Sequence, residues 1–135
     1  MDLKKRSYSI DVAGRTLTLE LSRIAEQANA SVVGRYGDTV VLTTVTMSDK
    51  EKTVNYFPLL VDYEERFYAA GKIMGSRFVR REGRPSEDAV LSGRLIDRTL
   101  RPLFDHRMRR EVQIVITVLA YDEEAPRDAH LRCGE

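Results

Sequence analysis

Between Arg77 and Arg110 the chain carries ten arginines, no lysine and five acids, Glu82, Glu87, Asp88, Asp97 and Asp105. A guanidinium group offers phosphate a planar, bidentate fork and stacks on bases, whereas lysine acts as a point charge. The chemistry these residues can do is recognition of a phosphate or a nucleic-acid strand. Arg80, Arg81 and Arg84 lie in the stretch FVRREGRP behind Phe78. Arg94, Arg98 and Arg101 follow at spacings of four and three, which on a helix puts them within an arc of about 60°. An aromatic beside arginines is the pairing used on single strands, where bases stack on the ring and guanidinium groups follow the backbone. Plainer readings stand beside it. Phe78 could be a buried loop anchor, and Asp97, three residues from Arg94 and four from Arg101, could form surface ion pairs worth a few tenths of a kcal/mol. One aspartate cannot neutralise three arginines, and Glu82 is the single acid beside the other three.

The elements that must position these residues read as strands, a breaker-rich loop, one helix and a last strand. YSIDVAGRTLTLEL alternates about Ala13-Gly14 and predicts a hairpin. ASVVGRYGDTVVLTTVTMS repeats the pattern around Tyr36-Gly37-Asp38, with a long second run from Thr39 to Met47. One or two short strands are expected near Tyr56 and Leu60, broken at Pro58. Gly71, Gly75, Gly83 and Pro85 make residues 69–85 a loop. Ser86 is placed as a helix N-cap, with Glu87 and Asp88 at the positive end of the dipole. The helix is predicted from Glu87 to Arg101, ahead of Pro102. Its packing face is expected to hold Ala89, Leu91, Ser92, Gly93, Leu95, Ile96, Thr99 and Leu100, with the arginines opposite. EVQIVITVLAY predicts a strand buried on both faces from Ile114 to Leu119.

The chain of 135 residues has 42% hydrophobic and 32% charged residues, which describes a globular domain with no apolar run long enough to span a bilayer. Net charge is +1, and the excess of basic residues is confined to the arginine stretch. The first residues lack the apolar segment of a secretory signal, and Cys133 is a single cysteine, so a cytoplasmic location is expected. Residues 1–124 read as one domain and 125–135 as an irregular tail.

Other chemistry is poorly supplied. Asp62, Glu64 and Glu65 gather near a strand end and read as a solvated turn. Asp97 reads as an orienter of arginines. Asp128, His130 and Cys133 are three potential metal ligands in a structureless context. Gly71-Lys72 lacks the spacing of a phosphate-binding loop.

GRYGDTVVLTTVTMS, YAAGKIMGSRFVRREGRPSEDAVLSGRLIDRTLRPLF and EVQIVITVLAYDEE closely resemble the first RNase PH-like repeat of the bacterial polynucleotide phosphorylase family, over residues 8–124. The resemblance implies an α+β fold, the RNase PH-like domain, in which mixed sheet and helices form a βαβ sandwich, here incomplete at its C-terminal end. It implies phosphorolytic 3′-to-5′ degradation of single-stranded RNA, with inorganic phosphate as co-substrate, Mg2+ as cofactor, nucleoside diphosphates as products and mRNA turnover as the setting. Partners implied are a homotrimeric ring and RNA degradation machinery. Catalytic and metal-binding residues are expected in a second repeat that this sequence lacks. Residues matching the family's RNA-channel loop are Phe78, Arg80, Arg81 and Arg84, with Arg94, Arg98 and Arg101 on the helix behind. Val79 stands where many relatives have a second phenylalanine, which removes one stacking surface. A first repeat continues well beyond Glu135, so an N-terminal fragment without catalysis of its own is expected. The alternative is a non-catalytic RNA-binding or ring-assembly module.

Overall fold

Two hairpins start the fold, and both turns are decided by backbone chirality. Ala13 and Gly14 adopt φ of 50° and 78° between β1 (Arg6–Val12) and β2 (Arg15–Leu21). Positive φ at both central residues is the two-residue turn whose twist matches paired strands. Gly37, at φ 60°, turns β3 (Ala30–Tyr36) into β4 (Thr39–Glu51). The structure, a computed structural model, describes residues 6–21, 24–72 and 85–122.

β5 (Leu59–Glu64), α1 (Glu87–Leu100) and β6 (Arg110–Ala120) follow, with single-turn 3-10 helices at Phe67–Ala70 and Arg101–Leu103. The six strands form one mixed sheet in the order β1-β2-β3-β4-β6-β5. β6 slots between β4, antiparallel to it, and β5, parallel to it. A parallel neighbour requires a crossover, and α1 supplies it. This is the α+β arrangement expected of the RNase PH-like fold.

Because directly paired residues share a face, the register sorts the sheet into two surfaces. Val112, Ile114, Ile116 and Val118 of β6 lie on the face that carries Leu59, Val61 and Tyr63 of β5 and Val41 and Val45 of β4. The core gathers there: Val112, Ile114, Ile116 and Val118 are buried with Phe57, Tyr63, Ala69 and Ala89. Each buried valine contributes about 1.5 kcal/mol. The Phe57 and Phe104 rings close one end at 5.2 Å between centroids.

Two expectations change. β6 is buried on one face only, because α1 covers a single side of the sheet, and the residues of its other face are half-buried or exposed. Of the one or two short strands expected near Tyr56 and Leu60, one forms, β5, and Tyr56 precedes it and is exposed. Asp62 and Glu64 belong to β5 itself and not to a solvated turn. Asp62 accepts from the Gln113 amide at 3.0 Å, and Glu64 pairs with Arg66. The tail from 125 to 135 lies outside the described residues.

Candidate nucleic-acid interface

α1 carries the arginines, and a small-residue stripe sets how it lies. Ala89 and Gly93 are its buried positions, with Ile96 and Leu100 packed against the core. A Cβ on Gly93 would sit 3.6 Å from the Val61 carbonyl oxygen and 3.7 Å from the Tyr63 Cβ, so the helix backbone rides close on β5. The packing face is therefore narrower than the sequence pattern suggests. Leu91 and Leu95, expected inward, are 61% and 62% exposed, and Thr99 is exposed with them. They lie on the outward side because the contact surface is centred on Ala89, Gly93, Ile96 and Leu100.

The start of α1 is fixed twice. The Ser86 hydroxyl accepts from the Ala89 amide at 3.1 Å as N-cap, and it donates to Glu65 Oε2 at 3.1 Å. Glu65, just past β5, has its carboxyl pushed above the ordinary value of 4.5 chiefly by partial burial; the Ser86 hydrogen bond pulls the other way, and the charge of Asp88 adds a smaller push upward. On the other side of the arginine-rich segment, Gly71 caps the 3-10 helix Phe67–Ala70 in left-handed geometry, and the Tyr121 amide donates to the Ala69 carbonyl at 2.9 Å. The 3-10 helix and the start of α1 thus both lie at the end of the sheet where β5 and β6 finish.

The three helix arginines divide into two kinds. Arg94 and Arg98 lie one turn apart on the outward side, exposed and, among the described residues, without a hydrogen bond or ion pair. Arg101 turns inward. Its Nε and one Nη donate to the two carboxylate oxygens of Asp97 at 3.2 and 2.7 Å. Its Nη groups also reach the carbonyls of Phe57 at 3.1 Å and Leu59 at 3.3 Å. Four of its five N–H donors are accounted for, and they tie the end of α1 to the start of β5. Asp97 orients an arginine, as the sequence suggested, and the arginine is Arg101. Phe78, Arg80, Arg81 and Arg84 lie outside the described residues, as do Asp128, His130 and Cys133.

The sequence reading missed two things. It did not foresee the Glu65–Ser86 link, which joins residues 21 apart. Nor did it foresee the carbonyl partners of Arg101, which lie 44 and 42 residues away. The Asp97–Arg101 spacing was the only local signal for the second.

An open cleft of about 540 Å³ at the turn end of the sheet is lined by Arg15, Thr16, Thr18, Arg35, Gly37, Asp38 and Asp122. Arg15 donates to Asp122 at 3.1 Å, and the lining holds as many aspartates as arginines, so it offers an anion no net charge. Among the described residues no group of three or more His, Cys, Asp or Glu side chains gathers to hold a metal ion. Mg2+ therefore has no clustered ligand set among the described residues. No helix among them is long and apolar enough to cross a membrane.

Comparison with known proteins decides the family. Residues 13–133 match the model of the 3′ exoribonuclease family, domain 1, in the RNase PH group. The chain belongs to this family. Polyribonucleotide nucleotidyltransferase of Anoxybacillus flavithermus is 56% identical over 124 residues, 92% of this chain and 18% of that protein. The namesake from Geobacillus kaustophilus is 55% identical over 132 residues, 97% of this chain and 18% of the relative. The chain therefore spans less than a fifth of the length of these relatives. Among solved structures, a chain of the Archaeoglobus fulgidus exosome with RNA bound to the active site superposes with a TM-score of 0.56. That match has 22% identity and covers 78% of this chain and 44% of the exosome chain, and it supports the RNase PH fold.

Proposed function

We propose that this chain is the domain 1 portion of a polyribonucleotide nucleotidyltransferase, which shortens single-stranded RNA from its 3′ end by phosphorolysis during mRNA turnover in the cytoplasm. An oxygen of inorganic phosphate attacks the phosphorus of the terminal phosphodiester, the bond from that phosphorus to the 3′ oxygen breaks, and a nucleoside diphosphate leaves. The 3′ oxygen takes up a proton and becomes the new RNA end. Mg2+, the phosphate subsite and the acid–base groups come from the remainder of the longer protein, which works as a homotrimer and associates with RNA degradation machinery.

The share of this work given to these residues is grip. Arg94 and Arg98 contact the RNA backbone, and Arg80, Arg81 and Arg84 add contacts from the segment before α1, where Phe78 stacks on a base. Arg101 holds the helix and has one N–H left for the strand. The observation that carries the reading is the pair of exposed guanidinium groups on α1 that have no partner among the described residues, in a chain of this family.

A single-stranded oligoribonucleotide with phosphate and magnesium tests it. Nucleoside diphosphate release is expected from the full-length relative and not from the 135-residue chain. Turnover by this chain alone would refute the assignment of chemistry elsewhere. A second reading, a non-catalytic RNA-binding or ring-assembly module, is supported by the described acids that serve structural bonds: Asp62 with Gln113, Glu64 with Arg66, Glu65 with Ser86 and Asp97 with Arg101. It predicts salt-dependent RNA binding that persists in the longer protein after its chemistry is abolished.

A further inference from the structure

Three separate parts of the chain meet where β5 and β6 begin. The Phe57 ring packs on Phe104, the Pro58 carbonyl accepts from the Val112 amide at 3.0 Å, and Arg101 at the end of α1 holds the Phe57 and Leu59 carbonyls. Phe57 is buried, and Tyr56 before it turns outward and is 65% exposed, its hydroxyl without a partner among the described residues. Phe104 leads into a tight turn, in which the Asp105 carbonyl accepts from the Met108 amide at 3.0 Å and its carboxylate accepts from the Arg107 amide at 2.9 Å. Arg109 braces this turn through the His106 carbonyl at 2.7 Å. Arg107 is left exposed, its guanidinium without a hydrogen bond or ion pair to a described residue. Arg98, in the last turn of α1, stands at the same end. Charge separates this end from the opposite one. Six arginines from Arg94 to Arg110 face two acids, Asp97 and Asp105, and Asp97 is already bound to Arg101. The end of β4 alongside adds Asp49 and Glu51 against Lys50, while Lys52 pairs with Glu111 at 2.8 Å, so arginine keeps the excess. Tyr68, exposed at the other end, shares it with Glu65, Glu87 and Asp88, whose charge repels a phosphate.

We propose that Tyr56 and Arg107 are contact residues for single-stranded RNA, Tyr56 stacking on a base and Arg107 binding a phosphate, which extends the Arg94 and Arg98 ridge past the end of α1. This rests on the reading of α1 as an RNA grip. An aromatic ring among guanidinium groups suits a ligand that alternates flat bases with phosphates, because bases stack on the ring while the guanidinium groups follow the backbone. An acidic protein segment offers carboxylates for the arginines and nothing flat for the ring. Both groups are also held in place before a strand arrives. The backbone beside Tyr56 is fixed by Arg101 and Val112, and the turn under Arg107 is closed by its own hydrogen bonds, so little ordering is left to be done on binding. The sequence placed Arg107 among the arginines but could not bring Tyr56, 51 residues earlier, to the same end; the Phe57 and Phe104 contact does that.

Fluorescence anisotropy of a labelled single-stranded oligoribonucleotide, titrated with the 135-residue chain at several salt concentrations, tests it. Tyr56→Ala is expected to weaken binding about tenfold while leaving the salt slope unchanged, because a stack releases no counterion. Tyr56→Phe should bind like the parent, and Tyr56→Leu, apolar but without a ring, should bind like Tyr56→Ala. Arg107→Ala should lower the slope of log affinity against log salt by about 0.7. Both side chains are exposed, so each variant is expected to melt with the parent. Parental binding by Tyr56→Ala, a loss in Tyr56→Phe equal to that in Tyr56→Ala, or an unchanged slope in Arg107→Ala overturns the proposal. Where the double variant of Arg94 and Arg98 still lowers the slope, the RNA grip stands and this extension alone falls. A parent chain with no salt-dependent binding overturns both. Polyglutamate that binds as tightly as the oligoribonucleotide overturns the proposal as well, because the surface then belongs to an acidic protein.

Discussion

Arg98 and Arg101 differ by three positions on one helix, and the structure predicts opposite consequences for removing them. Arg101→Ala deletes four hydrogen bonds, two to Asp97 and two to the carbonyls of Phe57 and Leu59. The partly exposed ion pair with Asp97 contributes about 0.3–0.5 kcal/mol. Each charged bond to a carbonyl more than forty residues away adds about 0.5–1 kcal/mol after water competes. The expected loss is about 2 kcal/mol, or a drop of about 6–8 °C in Tm for a domain of this size. Arg98→Ala removes no bond to a described residue and is expected to leave Tm within about 1 °C. RNA binding reverses the order. Each phosphate contact on a single strand contributes about 0.7 to the slope of log affinity against log salt. Arg94→Ala with Arg98→Ala should lower that slope by about 1.4, while Arg101→Ala, measured well below its Tm, should lower it by less than about 0.7. Thermal melts and oligoribonucleotide titrations at several salt concentrations give both readouts on the same samples. An Arg101→Ala protein with parental Tm and a slope reduced as far as the double variant's would refute the division of labour.

Gly93→Ala should stabilise the chain by about 0.5–1 kcal/mol, because alanine loses less entropy in a helix and its Cβ would meet Val61 and Tyr63 at ordinary contact distance. Gly93→Leu should instead cost about 1–3 kcal/mol by forcing α1 off β5; urea midpoints order the two. Ser86→Ala removes the N-cap of α1 and should cost about 1 kcal/mol, seen in the same measurement. Glu65 binds its proton more tightly in the folded chain than in the unfolded one, so its contribution to stability is greatest below pH 4.5 and is lost as pH rises through the raised folded value. Glu65→Gln keeps a hydrogen-bond partner for Ser86 and should flatten that part of the profile of urea midpoint against pH.

Local sequence was enough for whatever depends on neighbours along the chain. Hairpin turns at Ala13-Gly14 and Gly37 follow from Gly14 and Gly37, which accept left-handed backbone, and the start of α1 follows from Ser86 with its two acids. The concentration of guanidinium between Arg77 and Arg110 is likewise a property of composition. The long motif from Tyr68 to Phe104 carried the family before any coordinates. Tertiary structure decided which of those features point where. Leu91 and Leu95 have the spacing of a buried stripe, yet α1 rests on Ala89 and Gly93, because close approach to a strand favours the smallest residues over the largest. Periodicity cannot choose between two apolar arcs; the surface opposite the helix does. Arg101 belongs to the same helical stripe as Arg94 and Arg98, and the carbonyls of Phe57 and Leu59, together with Asp97, turn it from a free cation into a brace. The same holds for β1, whose alternation looks like that of any hairpin strand until the sheet order leaves it at the edge. Helical and strand periods record which side chains share a face, while the partner that face meets is a contact between residues distant in the chain, and it exists only once the strands have taken their places.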